Sequence, residues 1–171
     1  MVEWSLAVLR EVCDRVVVAV PHDRVEPPDF VPGGPTRSES VREALNAAPE
    51  AEVVVVHDAA RPLVTVDLVR RCVDALEGWD GVVAAIPVTD TVKEVEDGAV
   101  IRTPDRGRLW AAQTPQVFRA DVLRQVSSAE ATDDAALVEA TGGRVRVVAG
   151  APENFKVTTP LDMRVAEMLL C

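Results

Sequence analysis

The run Val53-Val54-Val55-Val56, followed at once by His57-Asp58-Ala59-Ala60-Arg61-Pro62, constrains this chain more than any other segment. Four consecutive β-branched residues favour a strand buried on both faces, the kind found inside parallel sheets. Open α/β sheets bind their ligands at the carboxyl ends of such strands. Asp58 and Arg61 therefore emerge at a candidate ligand edge, carrying a carboxylate for a metal or a hydroxyl and a guanidinium for a phosphate. An ion pair at the start of a helix would give the same letters, so the rest of the chain has to decide.

Around that run, apolar periodicity predicts alternating elements. Leu6, Val8, Leu9 and Val12 suit a helix over residues 2–12, and residues 15–20 read as a strand closed by Pro21. Pro21, Pro27, Pro28, Pro32 and Pro35, with Gly33 and Gly34, make 21–35 a loop. Ser38 or Thr36 then caps a helix reaching about residue 48. A strand at 52–57, a helix at 62–76 and a strand at 81–87 continue the alternation, which is the pattern of parallel βαβ units. Residues 89–103 break it. Two short β-prone pieces flank Asp97-Gly98, a strong hairpin signal, and their polarity predicts an arm standing off the sheet to meet a second subunit or reach over a site. A strand at 113–118, helices at 119–126 and 133–140, a strand at 145–148 and a helix at 160–170 complete the reading. Asp133 or Thr132 caps the second of those helices, and Gly142-Gly143 stops it.

With 171 residues and 48% hydrophobic content, the chain can bury one substantial core, so a single domain is expected over 1–171 with the arm at 88–106. A net charge of −10 argues against nucleic acid or an anionic membrane as a partner, because both require a broad basic field. No stretch is apolar enough to cross a bilayer, and Glu3 and Arg10 make the start unlike a signal peptide, so a cytoplasmic protein is expected. Cys13, Cys72 and Cys171 lack metal-ligand spacing, and His22 and His57 have no second ligand at helical spacing.

Further polar clusters accompany Asp58 and Arg61: Gly33 to Ser40, Asp90-Thr91-Val92-Lys93 with Thr103-Pro104-Asp105-Arg106, Gln113-Thr114-Pro115-Gln116, and Asn154-Phe155-Lys156-Val157-Thr158-Thr159. Each alone reads as a cap, a solvated edge or a loop. In order, however, HDAARPLV, VTDTVKEV, RTPDRGRLWAAQTPQVF, TDDAALVEATGG and NFKVTTPLDM closely resemble the 2-C-methyl-D-erythritol 4-phosphate cytidylyltransferase family over nearly the whole chain.

The resemblance implies a Rossmann-like nucleotidyltransferase fold, an α/β three-layer sandwich with a mostly parallel sheet. It also implies transfer of a cytidylyl group from CTP to a sugar-alcohol phosphate with release of pyrophosphate, in isoprenoid precursor synthesis, with Mg²⁺ or another divalent cation bridging phosphate oxygens. Carried over by position, Gly34 and Ser40 lie near the cytosine ring, and Ala59 and Ala60 line the nucleotide. Asp58 and Arg61 stand at nucleotide and substrate, with Asp58 also facing the metal or the sugar hydroxyls. Thr114 and Lys156 lie near the reacting phosphates, Lys156 as a point charge on the transition state. Thr91 and Arg106 are arm residues that reach the partner's substrate phosphate in a homodimer. Pro35 stands where the family often has a polar residue.

The family pattern also includes a preceding strand and a glycine-rich loop with a basic residue, and the segment Met1 to Leu6 matches a point downstream of them. The resemblance therefore implies neighbouring strand edges left unpaired or closed up, and little transfer activity for the chain as it stands. A misplaced start codon, a truncation, an inactive repaired fold, or excision from a fusion with a domain that cyclises the product would each account for this. A ribitol 5-phosphate cytidylyltransferase and a non-catalytic remnant are the competing functional readings.

Overall fold

The computed structural model describes residues 2–25, 29–127 and 133–170. Helix α1 (Val2–Val12) leads to β1 (Val18–Val20), a 3₁₀ turn at His22–Arg24 and β2 (Phe30–Pro32). Then come α2 (Arg37–Asn46), β3 (Val53–Val56), α3 (Val66–Asp74) and β4 (Gly81–Pro87). The hairpin β5 (Glu94–Glu96) and β6 (Ala99–Arg102) precedes a 3₁₀ turn at Arg106–Arg108 and the long β7 (Trp110–Arg119). Helices α4 (Ala120–Val126) and α5 (Asp134–Ala140), strand β8 (Val145–Ala149) and α6 (Pro160–Leu170) follow.

The main sheet has the order β3-β7-β4-β8. β8 runs parallel to β4, whereas β7 lies antiparallel between β3 and β4, so three strands share a direction and one opposes them. β1 pairs in parallel with β2 in a separate sheet. Among the described residues β1 bonds in a ladder to β2 alone and β3 to β7 alone, so each keeps one free edge.

Strand pleating sends neighbouring residues to opposite faces, and the core divides accordingly. Val56 and Phe118 pack with Leu45, Leu123, Val126 and Val138 beneath α2, α4 and α5. Val117 and Val82 pack with Leu68, Cys72 and Leu76 beneath α3 on the other face, where α1 adds Leu9 against Val64 and Val69. The result is helix, sheet, helix. Each fully buried Val, Leu or Phe here stabilises the fold by roughly 1.5 to 3 kcal/mol.

Several expected boundaries shift. The first strand begins at Val18, because Val16 turns into the α1 cluster while Arg15 pairs with Glu50. The helix expected from residue 62 begins at Val66: the Thr65 side chain accepts the Leu68 N–H, and buried Pro62 and Val64 lie in the loop before it. Thr36 rather than Ser38 caps α2, in a reciprocal capping box with Glu39. Asp133 caps α5; its alternative, Thr132, lies outside the described residues. β7 extends beyond the expected 113–118 at both ends, and its register against β4 shifts between Val83 and Ala85, opposite Gln113 to Pro115. That irregularity frees polar side chains in an otherwise apolar strand to face the site.

Candidate active site

β3 ends at Val56, and the chain turns tightly through the next five residues, closed by the Arg61 N–H donating to the Asp58 carbonyl at 2.9 Å. His57 holds this turn from within. Its Nε2 lies 3.1 Å from the Arg61 carbonyl, which can only accept, so Nε2 carries the proton and Nδ1 is an acceptor. The Thr114 hydroxyl, 3.0 Å away, therefore donates to Nδ1, and it accepts the Asp58 backbone N–H at 3.0 Å. Burial, against the Arg61 carbonyl and the Asp58 charge, pushes the His57 pKa down to about 4, so the ring stays neutral at neutral pH.

The loop before α6 is stitched to the same turn. Val157 N–H donates to the Ala60 carbonyl at 2.7 Å, and the Asn154 side chain donates to the Thr114 carbonyl at 2.8 Å. Arg61 in turn donates from Nη1 to the Asn154 carbonyl at 2.8 Å. These bonds deliver Lys156 to Asp58: Nζ donates to Oδ2 at 2.8 Å. Burial opposes ionisation of Asp58, but the Lys156 hydrogen bond and the charges of Arg37 and Lys156 outweigh it and lower its pKa.

Asp58, Arg61, Thr114 and Lys156 thus meet at one strand end, with Ala59 and Ala60 supplying a turn free of bulky side chains. The Arg61 Nε is buried with no hydrogen-bond partner among the described residues. A buried donor without an acceptor is costly, and an anion arriving at that face would satisfy it.

Gly34 and Ser40 line a separate cleft of about 480 Å³ with Val20, His22, Gly33 and Pro35. A Cβ on Gly34 would stand 2.2 Å from the Glu39 Cβ, so only glycine lets this loop lie against the first turn of α2. The Ser40 hydroxyl donates to the Thr36 carbonyl at 3.0 Å and lies 3.3 Å from the Gly34 carbonyl. Another cleft, about 450 Å³, lies at the opposite strand ends beside Trp79, Arg119 and Arg144, and none of the sequence-identified residues lines it.

Thr91 and Arg106 lie apart, exposed on the arm and at its base, where Arg106 donates to the Thr89 carbonyl at 2.6 Å. Sequence reasoning missed Arg37, whose guanidinium contacts both Asp58 and Asp134, and the supporting roles of His57 and Asn154. The run Gly33 to Ser40 contains Arg37, but nothing local marks it as reaching Asp58.

No group of three or more His, Cys, Asp or Glu residues is placed to hold a metal ion among the described residues. Asp58 is a hard oxygen donor whose Oδ2 is held, among the described residues, by the partly exposed Lys156 alone. That fits Mg²⁺ carried in on substrate phosphates, which needs just one or two protein carboxylates.

The family model for 2-C-methyl-D-erythritol 4-phosphate cytidylyltransferase (IspD) matches residues 1–171. The enzyme of that name from Nocardia farcinica is 51% identical over 173 aligned positions, covering 93% of this chain and 75% of the relative. That from Nostoc is 48% identical over 153 positions, covering 85% and 67%. The crystal structure of the Thermus thermophilus enzyme superposes with a TM-score of 0.87 at 39% identity, covering 98% of this chain and 87% of that one. A match over the whole chain, with the strand-end site inside it, means that this chain belongs to the 2-C-methyl-D-erythritol 4-phosphate cytidylyltransferase family.

Proposed function

We propose that this protein transfers the cytidylyl group of CTP to 2-C-methyl-D-erythritol 4-phosphate, releasing pyrophosphate, as a cytoplasmic step of isoprenoid precursor synthesis. The observation that carries the reading is the convergence of Asp58, Arg61, Thr114 and Lys156 at one strand end, where the buried Arg61 Nε has no acceptor among the described residues.

In the reaction a phosphate oxygen of the sugar alcohol attacks the α-phosphorus of CTP. A P–O bond forms there as the bond to the β-phosphate oxygen breaks, and pyrophosphate leaves with the electron pair. The chain has to align two anions and neutralise the charge that gathers between them. Arg61 presents a guanidinium to phosphate oxygens, and the Thr114 hydroxyl, bonded to His57 Nδ1 and to the Asp58 N–H, holds the turn that carries Asp58 and Arg61. Lys156 moves from Asp58 to the reacting phosphate, which frees Asp58 Oδ2 for a sugar hydroxyl or for Mg²⁺. Asp58 Oδ2 would hold Mg²⁺, which would supply positive charge against the mutual repulsion of the phosphates. Gly34 and Ser40 receive the base in their cleft, with Ala59 and Ala60 beside the ribose.

The arm supports a homodimer in which Thr91 and Arg106 serve the partner's site. Both strands of the arm are exposed throughout; Val95 and Val100, paired across it, put an apolar patch on one face, and Ile101 stands on the other.

Pyrophosphate release from CTP with 2-C-methyl-D-erythritol 4-phosphate tests the reading, with ribitol 5-phosphate and the other nucleoside triphosphates as controls. Turnover confined to the first pair supports it. Preference for ribitol 5-phosphate would reassign the substrate, and an intact fold that fails to bind CTP in calorimetry would make the chain a non-catalytic relative.

A further inference from the structure

We propose that Arg37 is the positioning residue for Asp58, with the buried Asp134 as its anchor, so that the base-binding segment and the reacting centre move as one unit. This rests on the cytidylyltransferase reading.

Arg37 is the first residue of α2, directly after the cap Thr36 and between Gly34 and Ser40. Its Nε donates to Asp58 Oδ1 at 3.2 Å and its Nη1 to Asp134 Oδ2 at 2.7 Å, across 21 and 97 residues of chain. One guanidinium therefore joins the base cleft, the end of β3 and the start of α5. Burial alone would lower the Arg37 pKa, but Asp134 and then Asp58 outweigh it.

The two oxygens of Asp58 are not equivalent. Oδ2 is held by Lys156, whose side chain is 44% exposed on a flexible stem and free to exchange for a ligand. Oδ1 is held by Arg37, which is itself gripped by Asp134, only 3% exposed. Asp134 is fixed in turn: Asp133 beside it caps α5 and accepts from the Gln116 side chain on β7, and the Ala135 N–H reaches Gln116 Oε1 at 3.3 Å. When Lys156 leaves for a phosphate, Oδ1 stays pinned, and Oδ2 faces the ligand in a preset orientation. Pinning needs two donors in a fixed fork, which arginine has and lysine does not.

The test uses the 171-residue chain with Arg37→Met, Arg37→Lys, Asp134→Asn and the Arg37→Met/Asp134→Asn double variant, reading kcat and KM for each substrate with thermal unfolding as the fold control. Misplacing a reacting-centre group costs up to about a hundredfold in rate. Arg37→Met is therefore expected to lower kcat by about 10- to 100-fold, with KM for CTP changing by less than about threefold. Arg37→Lys should not restore kcat. Asp134→Asn should lower it in the same direction, and the double variant should be no slower than Arg37→Met. Should Arg37→Met fail to fold, the double variant, which removes both ends of the buried pair, replaces it.

A folded Arg37→Met or double variant with parental kcat overturns the proposal, as does full rescue by lysine or a loss that falls on KM alone. If the parent chain releases no pyrophosphate, the functional reading fails by itself, and crystal structures of the parent and variants then decide this one. Displacement of the Asp58 carboxylate by more than about 0.5 Å in Arg37→Met and Asp134→Asn supports it, and an unmoved carboxylate overturns it.

Discussion

Lys156 Nζ donates to Asp58 Oδ2 at 2.8 Å across 98 residues of chain, so the lysine of the last loop rests on the carboxylate at the end of the valine strand. With its side chain 44% exposed, the lysine adds little to folding: a solvent-screened pair of this kind is worth no more than about 1 kcal/mol. At the reacting phosphate the same charge is worth roughly 1.5 to 3 kcal/mol. Lys156→Met is therefore expected to cost one to two orders of magnitude, about 10- to 100-fold, in kcat/KM while moving the denaturation midpoint only slightly. Steady-state rates beside urea melts check both halves; equal losses in stability and activity would make the lysine structural.

His57 gives the fold a pH dependence of definite sign. Its pKa is about 4 in the folded chain against 6.5 for a free histidine, so the unfolded chain binds the extra proton between those values. Stability is fully present above pH 6.5 and falls as the pH drops toward 4, by about 3 kcal/mol in all. Urea unfolding of metal-free protein at intervals across this window measures the slope. His57→Gln keeps a hydrogen-bonding side chain without the titration and should flatten that slope; an unchanged profile would remove His57 as its source.

Asn154 is 1% exposed, and its side-chain amide donates to the Thr114 carbonyl at 2.8 Å and toward Gln113 Oε1 at 3.3 Å. Asn154→Ala removes the side-chain donor to the buried Thr114 carbonyl, while Gln113 Oε1 keeps the Ala151 N–H, a loss of about 1 to 3 kcal/mol. Asn154→Asp should cost more, because a carboxylate cannot donate and would face two oxygens. Urea midpoints order the three proteins, and an aspartate variant as stable as the parent would refute the assigned donor.

The legible parts of this molecule are those where local chemistry suffices. Four valines specify β3 as a strand, though not the burial expected of it, since β3 lies at a sheet edge antiparallel to β7 with Val53 exposed; Thr36 and Glu39 specify the start of α2, and Asp97-Gly98 specifies the hairpin, both residues taking positive φ. Asp58, Arg61 and Lys156, which the fold brings together, each stand in a distinctive motif. Strand order was not legible, since the placement of β7 against the grain between β3 and β4 depends on which apolar faces meet across distant parts of the chain, as non-local pairing does generally. Arg37 and Asp134 were hidden for the same reason. Each looks locally like an ordinary charged residue in the first turn of a helix, and only the fold brings one against the other and Arg37 against Asp58.

The arm supplies the last prediction. β5 and β6 pair only with each other among the described residues, and Val95, Val100 and Ile101 are 53%, 58% and 55% exposed. Apolar side chains gathered on one hairpin lower the free energy when a second copy covers them. The parent should therefore sediment as a dimer, and Val100→Asp with Ile101→Asp should give a folded monomer. If Arg106 serves the partner's site, Arg106→Ala and Asp58→Ala are each inactive alone. Mixed in equal amounts and allowed to exchange, about half the dimers are hybrids with one intact site, which restores about a quarter of the parental activity. A mixture that exchanges subunits without recovering activity would place Arg106 and Asp58 in the same subunit's site.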